Sequence, residues 1–269
     1  MSTSHGKKTS RRATLVTVLV AAALAPSSGC SKSSTCGANP AGYAPVISPV
    51  DFPTSMQIDN KYFALVPGTV FVFAENTGNV TEITVGSDKK TILGIDCVVV
   101  HDVVKTATGD LVEDTFDWFA QDKDGNVWYF GESTKAYQAG KSVSTAGSWE
   151  GGVNCALPGI TMKASPRVGE TYRQEYLAGV AEDKADVVSL TESITVPYGS
   201  FDNCLMTKDY TDLEPGAFEH KYFCPGVGQV SSVDVMPAEG KHEDLTSVNG
   251  NHGDGGAGDG GVGDAGGGG

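Results

Sequence analysis

Beyond Cys30 the chain has little positive charge. Of its 19 Lys and Arg, four (Lys7, Lys8, Arg11, Arg12) precede Cys30 with no acid among them. That leaves 15 bases against 33 acids, a formal charge of −18 over the remaining 240 residues. Only Arg167 and Arg173 supply guanidinium groups there. Nucleic acid is therefore excluded as a partner, because such binding needs clustered Lys and Arg to displace phosphate counterions. Electrostatic attachment to anionic lipid is disfavoured for the same reason. Helical apolar stripes are also lacking: residues 180–190 come nearest, and their Val187-Val188 pair fits a strand as well. The longest apolar run, residues 13–25, is too short for a permanent membrane-crossing helix. There is no H-E-x-x-H, no G-x-S-x-G elbow and no carboxylate pair of distinctive spacing.

What is present begins with an export signal. Residues 7–12 are basic, 13–25 (ATLVTVLVAAALA) are apolar, and Ser27-Ser28-Gly29 are small residues before a cysteine. This arrangement resembles a bacterial lipoprotein signal, in which the first mature residue, here Cys30, carries a diacylglyceryl group on sulfur. Ser27 departs from the Leu usual at that place. Ser10-Arg11-Arg12 is similar to a twin-arginine signal but lacks its Phe. Cys30 is thus the expected lipidation site, and the membrane the expected partner through that lipid. The location implied is the cell envelope, extracytoplasmic, in the outer membrane if the host has one.

The chain then divides into a signal (1–29), a flexible tether (30–56), a β-sheet domain (57–248) and a tail (249–269). The tether is rich in Ser, Pro, Gly and Ala without apolar period. The tail has 12 glycines and three aspartates in 21 residues, offers nothing to bury, and is expected to be disordered. Period-2 alternation dominates the domain. Strands are expected over 69–74, 80–86, 89–93, 97–105, 111–121, 127–132, 171–177, 185–196, 203–213, 218–224 and 229–236. Short Gly, Pro and Asp turns join them. The fold class is all-β: a single antiparallel meander of about ten strands, curled into a half-barrel or barrel to protect its edges.

Asp122-Lys123-Asp124-Gly125 is a hairpin turn. If Gln121 faces Asn126, then Phe119 faces Trp128 and Asp117 faces Phe130. Trp118 and Tyr129 share the other face. Aromatics on both faces require that both be covered, one by a core and the other by a groove or by the Gly-rich segment 140–165.

Val196-Pro197-Tyr198-Gly199-Ser200-Phe201, followed by Tyr222-Phe223-Cys224-Pro225-Gly226-Val227-Gly228-Gln229-Val230, resembles a paired signature of exported bacterial β-domain lipoproteins of unknown function. Leu65-Val66-Pro67-Gly68-Thr69-Val70-Phe71 is similar to their first strand. The resemblance implies a long antiparallel sheet akin to periplasmic lipoprotein-carrier half-barrels, and neither cofactor nor catalytic residues.

Candidate chemistry is sparse. The Asp122–Asn126 stretch opens like a calcium loop, but position 12 is Ser133 and the flanks are strands, so a plain turn accounts for it. His101 and His220 could join a zinc or catalytic site with Asp114, Asp117 or Glu219; a satisfied strand histidine is the simpler account. In an oxidising compartment the five cysteines beyond Cys30 tend to pair. A register with positions summing to 428 sets Cys204 opposite Cys224, close enough for a disulfide, at the cost of Asp209 opposite Glu219. Pairing among Cys36, Cys97 and Cys155 stays open. The reading is a lipid-anchored envelope protein with a non-catalytic binding or structural role. The alternatives are a carrier of an apolar ligand and, third, an envelope hydrolase. An apolar cavity of several hundred Å3 would mark the carrier.

Overall fold

The computed structural model describes residues 36, 43–53, 56–237, 240–249 and 251–252. Cys30 and the glycine tail from 253 onward lie outside the described residues. A small hairpin of β1 (Ile58–Asn60) and β2 (Phe63–Leu65) comes first. A meander follows: β3 (Val70–Glu75), β4 (Val80–Ile92), β5 (Ile95–Lys105), β6 (Leu111–Gln121) and β7 (Val127–Gln138). The strands β8 (Lys141–Ser144), β9 (Trp149–Glu150) and β10 (Leu157–Met162) all pair with β7. Next come the short β11 (Thr171–Arg173) and β12 (Glu175–Tyr176). A second meander runs through β13 (Asp183–Val196), β14 (Gly199–Thr211), β15 (Phe218–Cys224), β16 (Gly228–Met236) and β17 (His242–Val248).

β17 returns to pair with β3 and so joins the two meanders. The strand path is β11-β13-β14-β15-β16-β17-β3-β4-β5-β6-β7-β10-β12, thirteen strands. Only Gln174 separates β11 from β12, so the two ends of the path meet at one point in the chain. The result is a nearly closed antiparallel barrel, which leaves few backbone N–H and C=O groups on open edges. The fold is all-β, and residues 180–190 belong to β13 rather than a helix.

Period-2 alternation puts one set of side chains inside, and that set is layered along the barrel axis. On β3, Phe71 and Phe73 point inward and are followed by Glu75; on β6, Glu113, Thr115 and Asp117 precede Phe119. On β15, Glu219 and Lys221 precede Phe223. Several cross-strand pairs match like with like: Val98 opposite Phe119 and Leu205 opposite Phe223 at one end, Asp117 opposite Glu132 and Glu75 opposite Glu243 at the other. The apolar end is plugged by β1–β2, whose Phe63 packs edge-on against Phe119 at 5.4 Å. Each fully buried Phe or Ile of this plug stabilises by about 1.5–3 kcal/mol. The remaining apolar space beside Phe63, Phe73, Ile83 and Val227 is about 10 Å3.

Three sequence readings need correction. Residues 140–165 are not an irregular cover, because β8, β9 and β10 extend the sheet beyond β7. The cover over the outer aromatics comes from the expected tether: residues 43–53 lie on the barrel, with Phe52 buried against Trp128 and Phe130. Tyr43 Oη also donates to the Pro158 carbonyl at 2.6 Å. The β6–β7 register is one residue off the expected one near the turn, where Phe119 faces Tyr129 and Ala120 faces Trp128, and two off beyond the bulge, where Asp117 faces Glu132. The cause is the Asp122 carboxylate, which accepts from the Asp124 and Asn126 backbone N–H groups and from Trp128 Nε1. That closes the turn with Asp122 opposite Asn126 and leaves an extra residue as a bulge near Gly131.

The β14–β15 register has positions summing to 428. Cys204 and Cys224 are disulfide-bonded, as are Cys36 and Cys155, while Cys97 is a buried free thiol. Closing the 20-residue separation between Cys204 and Cys224 stabilises by about 3 kcal/mol on the chain-entropy account. The double replacement Cys204→Ser, Cys224→Ser should therefore lower unfolding free energy by a similar amount in denaturant titration. An unchanged midpoint would show that the bond adds nothing to the native state.

Candidate functional site

A broad concavity lies on the outside of the barrel. Strands β5, β6 and β7 turn Val99, Phe116, Trp118 and Ser133 outward, and these form its floor. One wall is Lys89 and Lys90, carried on the far half of β4 beyond a bulge at residues 86–88. The other is Ser148, Trp149, Glu150, Val153 and Asn154, from β9 and the loop after it. The cleft is broad and open to solvent along one side, with a volume of about 700 Å3.

The β9 wall sits where it does because Gly131 has no side chain. Its φ is +139°, and a Cβ there would stand 2.4 Å from the Trp149 carbonyl oxygen. Ser148 completes the attachment, accepting from Thr134 N–H at 2.9 Å and donating to the Thr134 carbonyl at 3.2 Å. Across the cleft, the Lys90 ammonium lies 2.7 Å from the Glu150 carboxylate and 3.6 Å from the centre of the Trp118 ring. Such a contact joins a partly exposed ion pair to a cation–π interaction. Lys89 is paired with Asp96. The cleft thus offers ring surface, hydroxyls, an amide and a bridged Lys–Glu pair: groups for holding a mixed polar and apolar molecule.

Its inner edge reaches the acidic layer of the barrel, since Glu132 and Trp149 line the cleft and are buried. Tyr129 Oη donates to Asp117 at 2.6 Å and to Glu132 at 3.2 Å. Burial pushes the Asp117 carboxyl up to about 7, against the pull of the Tyr129 hydrogen bond. Burial, and then the nearby Asp117 and Glu175, hold Glu132 well above the usual carboxylate range. Glu175 is raised by burial and by Asp183, with the Trp149 indole N–H working the other way. Asp183 is pushed up to about 8 by burial, despite Lys221. The Lys221 ammonium lies 3.2 Å from Asp209 and 3.3 Å from Glu219, like-charged residues that face each other across β14–β15. Burial opposes its charge, but Glu219, Asp209 and Asp183 outweigh burial and keep it protonated.

The histidines do not come together. His101 Nε2 is 2.6 Å from Asp114 Oδ1, and its ring stacks on Phe116 at 4.2 Å, on the outer face. His220 is on β15, five strands away along the sheet. Asp117 and Glu219 face inward, away from both rings. Among the described residues no three His, Cys, Asp or Glu side chains are grouped to hold a metal. Sequence reading missed the cleft walls, because Lys89, Lys90 and residues 148–154 meet only through the sheet. It also missed the inward acids, although Glu113, Thr115, Asp117 and Phe119 share one phase of the alternation.

No family model matches the chain, and no curated protein matches it. Two solved structures are similar to it. One is a protein described as exported, with a YmcC-like fold, from Bacteroides fragilis: 14% identity and TM-score 0.42, covering 70% of this chain and 98% of that one. The other is a protein described as a lipoprotein, from Parabacteroides distasonis: 14% identity and TM-score 0.38, covering 70% of this chain and 97% of that one.

The acidic layer has a consequence for stability. In the unfolded chain Asp117, Asp183 and Glu243 ionise near 4, whereas folded they keep their protons to about 7, 8 and 8. The folded state then binds more protons than the unfolded between these values. Its stability is greatest below about pH 4 as far as these groups are concerned, and falls as pH rises to about 8. Each contributes up to about 1.4 kcal/mol per pH unit within its window. Melting temperature should therefore drop between pH 5 and pH 8, and Glu175→Gln should flatten the drop. A melting temperature that rises over this interval would contradict the assignment.

Proposed function

We propose that the protein is a lipid-anchored, extracytoplasmic binding protein of the bacterial cell envelope, without catalytic activity, whose ligand occupies the outer cleft. The observation that carries this reading is the contrast between two spaces: an open concavity of about 700 Å3 on the outside of the sheet, and about 10 Å3 beside the packed Phe63 and Phe73 inside it. A carrier needs the reverse, since an acyl chain has to displace the packed Phe63, Phe73 and Phe119 to enter. The Cys36–Cys155 and Cys204–Cys224 bonds support a compartment outside the cytoplasm. The signal-like residues 7–29 before Cys30 support the anchor. The His101–Asp114 pair supports no hydrolase, because the ring is held in a stack on Phe116.

Metabolic labelling with a palmitate analogue should mark the wild type and not Cys30→Ala; equal labelling would end the anchor reading. A fluorescent fatty acid should show no saturable one-to-one uptake, and saturable uptake would restore the carrier. Ligands detected by saturation-transfer NMR among soluble cell-wall sugars and peptides should lose their signal with Ser133→Trp, which fills the cleft. Signals unaffected by that substitution would move the site elsewhere.

A further inference from the structure

Beside the cleft, three aliphatic side chains stand in solvent around one hairpin tip, with a fourth close by in the chain. The β4–β5 turn is Leu93-Gly94, both with positive φ (52° and 79°). A two-residue turn of this kind favours Asn-Gly, since a left-handed backbone suits Asn and Gly and strains a branched apolar residue. Leu93 nonetheless occupies it and is 45% exposed. Leu93 lies against Gly152, and Gly94 against Pro49. Their neighbours Val153 and Val50 are 48% and 81% exposed, and Val46, four residues before Val50, is 87% exposed. The charges of this region are paired: Lys89 with Asp96, Lys90 with Glu150, Lys123 with Asp51. The rim therefore presents little of the acidity that pervades the rest of the chain.

The place of this rim relative to the anchor is set covalently. Cys36 is bonded to Cys155, two residues from Val153. Cys30 precedes Cys36 by six residues, a span of at most about 20 Å when extended. Because Tyr43 is the next described residue held to the barrel, the Cys36–Cys155 bond shortens the leash from Cys30 from thirteen residues to six.

We propose that Val46, Val50, Leu93 and Val153 form a membrane-docking rim that enters the interfacial zone of the bilayer holding the Cys30 lipid, with the cleft opening beside that surface. This rests on the anchor reading above. A bilayer fits better than a protein partner. The rim is a few small aliphatic side chains without the aromatic or Arg anchors that dominate protein interfaces, and the short leash already brings it to the lipid. Scattered exposed residues such as Val143 and Val168 need no such account.

The test uses the full chain, processed and lipidated, on vesicles of phosphatidylethanolamine and phosphatidylglycerol containing brominated acyl chains. An environment-sensitive fluorophore is placed through Leu93→Cys or Val50→Cys, with Val143→Cys as reference; the native Cys97 thiol is buried. Flotation with the vesicles reports the anchor, and bromine quenching reports docking. Floating protein with quenching and a blue shift at positions 93 and 50, and neither at 143, is the expected result. Leu93→Asn, which suits the turn and removes the apolar side chain, should keep the melting temperature and reduce quenching at position 50 severalfold. Floating protein quenched no more at 93 and 50 than at 143 overturns the rim while leaving the anchor intact. Failure to float overturns both. A cross-link from position 93 to another polypeptide, without quenching, replaces the bilayer with a protein partner.

Discussion

Closing the sheet on itself is the constraint from which the rest follows. A closed sheet has one inner face, and every strand must give alternate residues to it. Here those residues include Glu75, Asp102, Glu113, Asp117, Glu132, Asp183, Asp209, Glu219 and Glu243. An ionised carboxylate taken from water costs several kcal/mol unless paired. The structure meets this cost in three ways. Lys221 sits between Asp209 and Glu219, so the two like charges that face each other across β14–β15 share a cation. Tyr129 donates to Asp117 and Glu132, which face each other across β6–β7. Burial raises Asp183 and Glu243 so that they keep their protons to about pH 8, and Glu75 is paired with Lys241. Confining these groups to one end leaves the other end free for aromatic packing around Phe63 and Phe119.

With Phe63, Phe73 and Phe119 packed inside, the broad concavity lies on the outer surface. There the same strands show their other phase, and this phase is apolar on β5–β7: Val99, Trp118, Ala120 and Phe130. Residues 43–53 and the far half of the β4–β5 hairpin cover part of it, with Phe52, Ile92, Ile95 and Cys97 in a second apolar cluster. What they leave uncovered, bounded by β9 and its loop, is the cleft. The Cys36–Cys155 bond ties the covering segment to that loop. The Cys36 end of the covering segment, the cleft and the exposed rim are therefore one region of the surface.

The strand series was legible because its signal is local. Val-Phe-Val-Phe in β3 and Phe-Glu-His-Lys-Tyr-Phe-Cys in β15 alternate within a few residues, and Glu214-Pro215-Gly216 states where the chain turns. Where a hairpin is regular, as in β14–β15, the turn alone sets the register. It misled at β6–β7, because the Asp122 side chain accepts from four donors in and beyond its own turn, and that preference is not visible in the residue types. The β1–β2 plug and β17 went unread, since their short polar-rich stretches (Ile58-Asp59-Asn60, His242-Glu243-Asp244) become strands only against partners that the barrel supplies.

By itself, then, the sequence determined which residues share a face and that consecutive strands pair, because a two-residue period and short turns are properties of neighbouring residues. The tertiary structure alone decided which faces meet across long separations. It put Cys36 on Cys155, β17 on β3, and Lys90 between Trp118 and Glu150. It also decided that the inward acids would gather in one layer rather than reach solvent. These outcomes depend on the curvature, bulges and closure of the whole sheet, which are summed over all its strands and carried by no single segment.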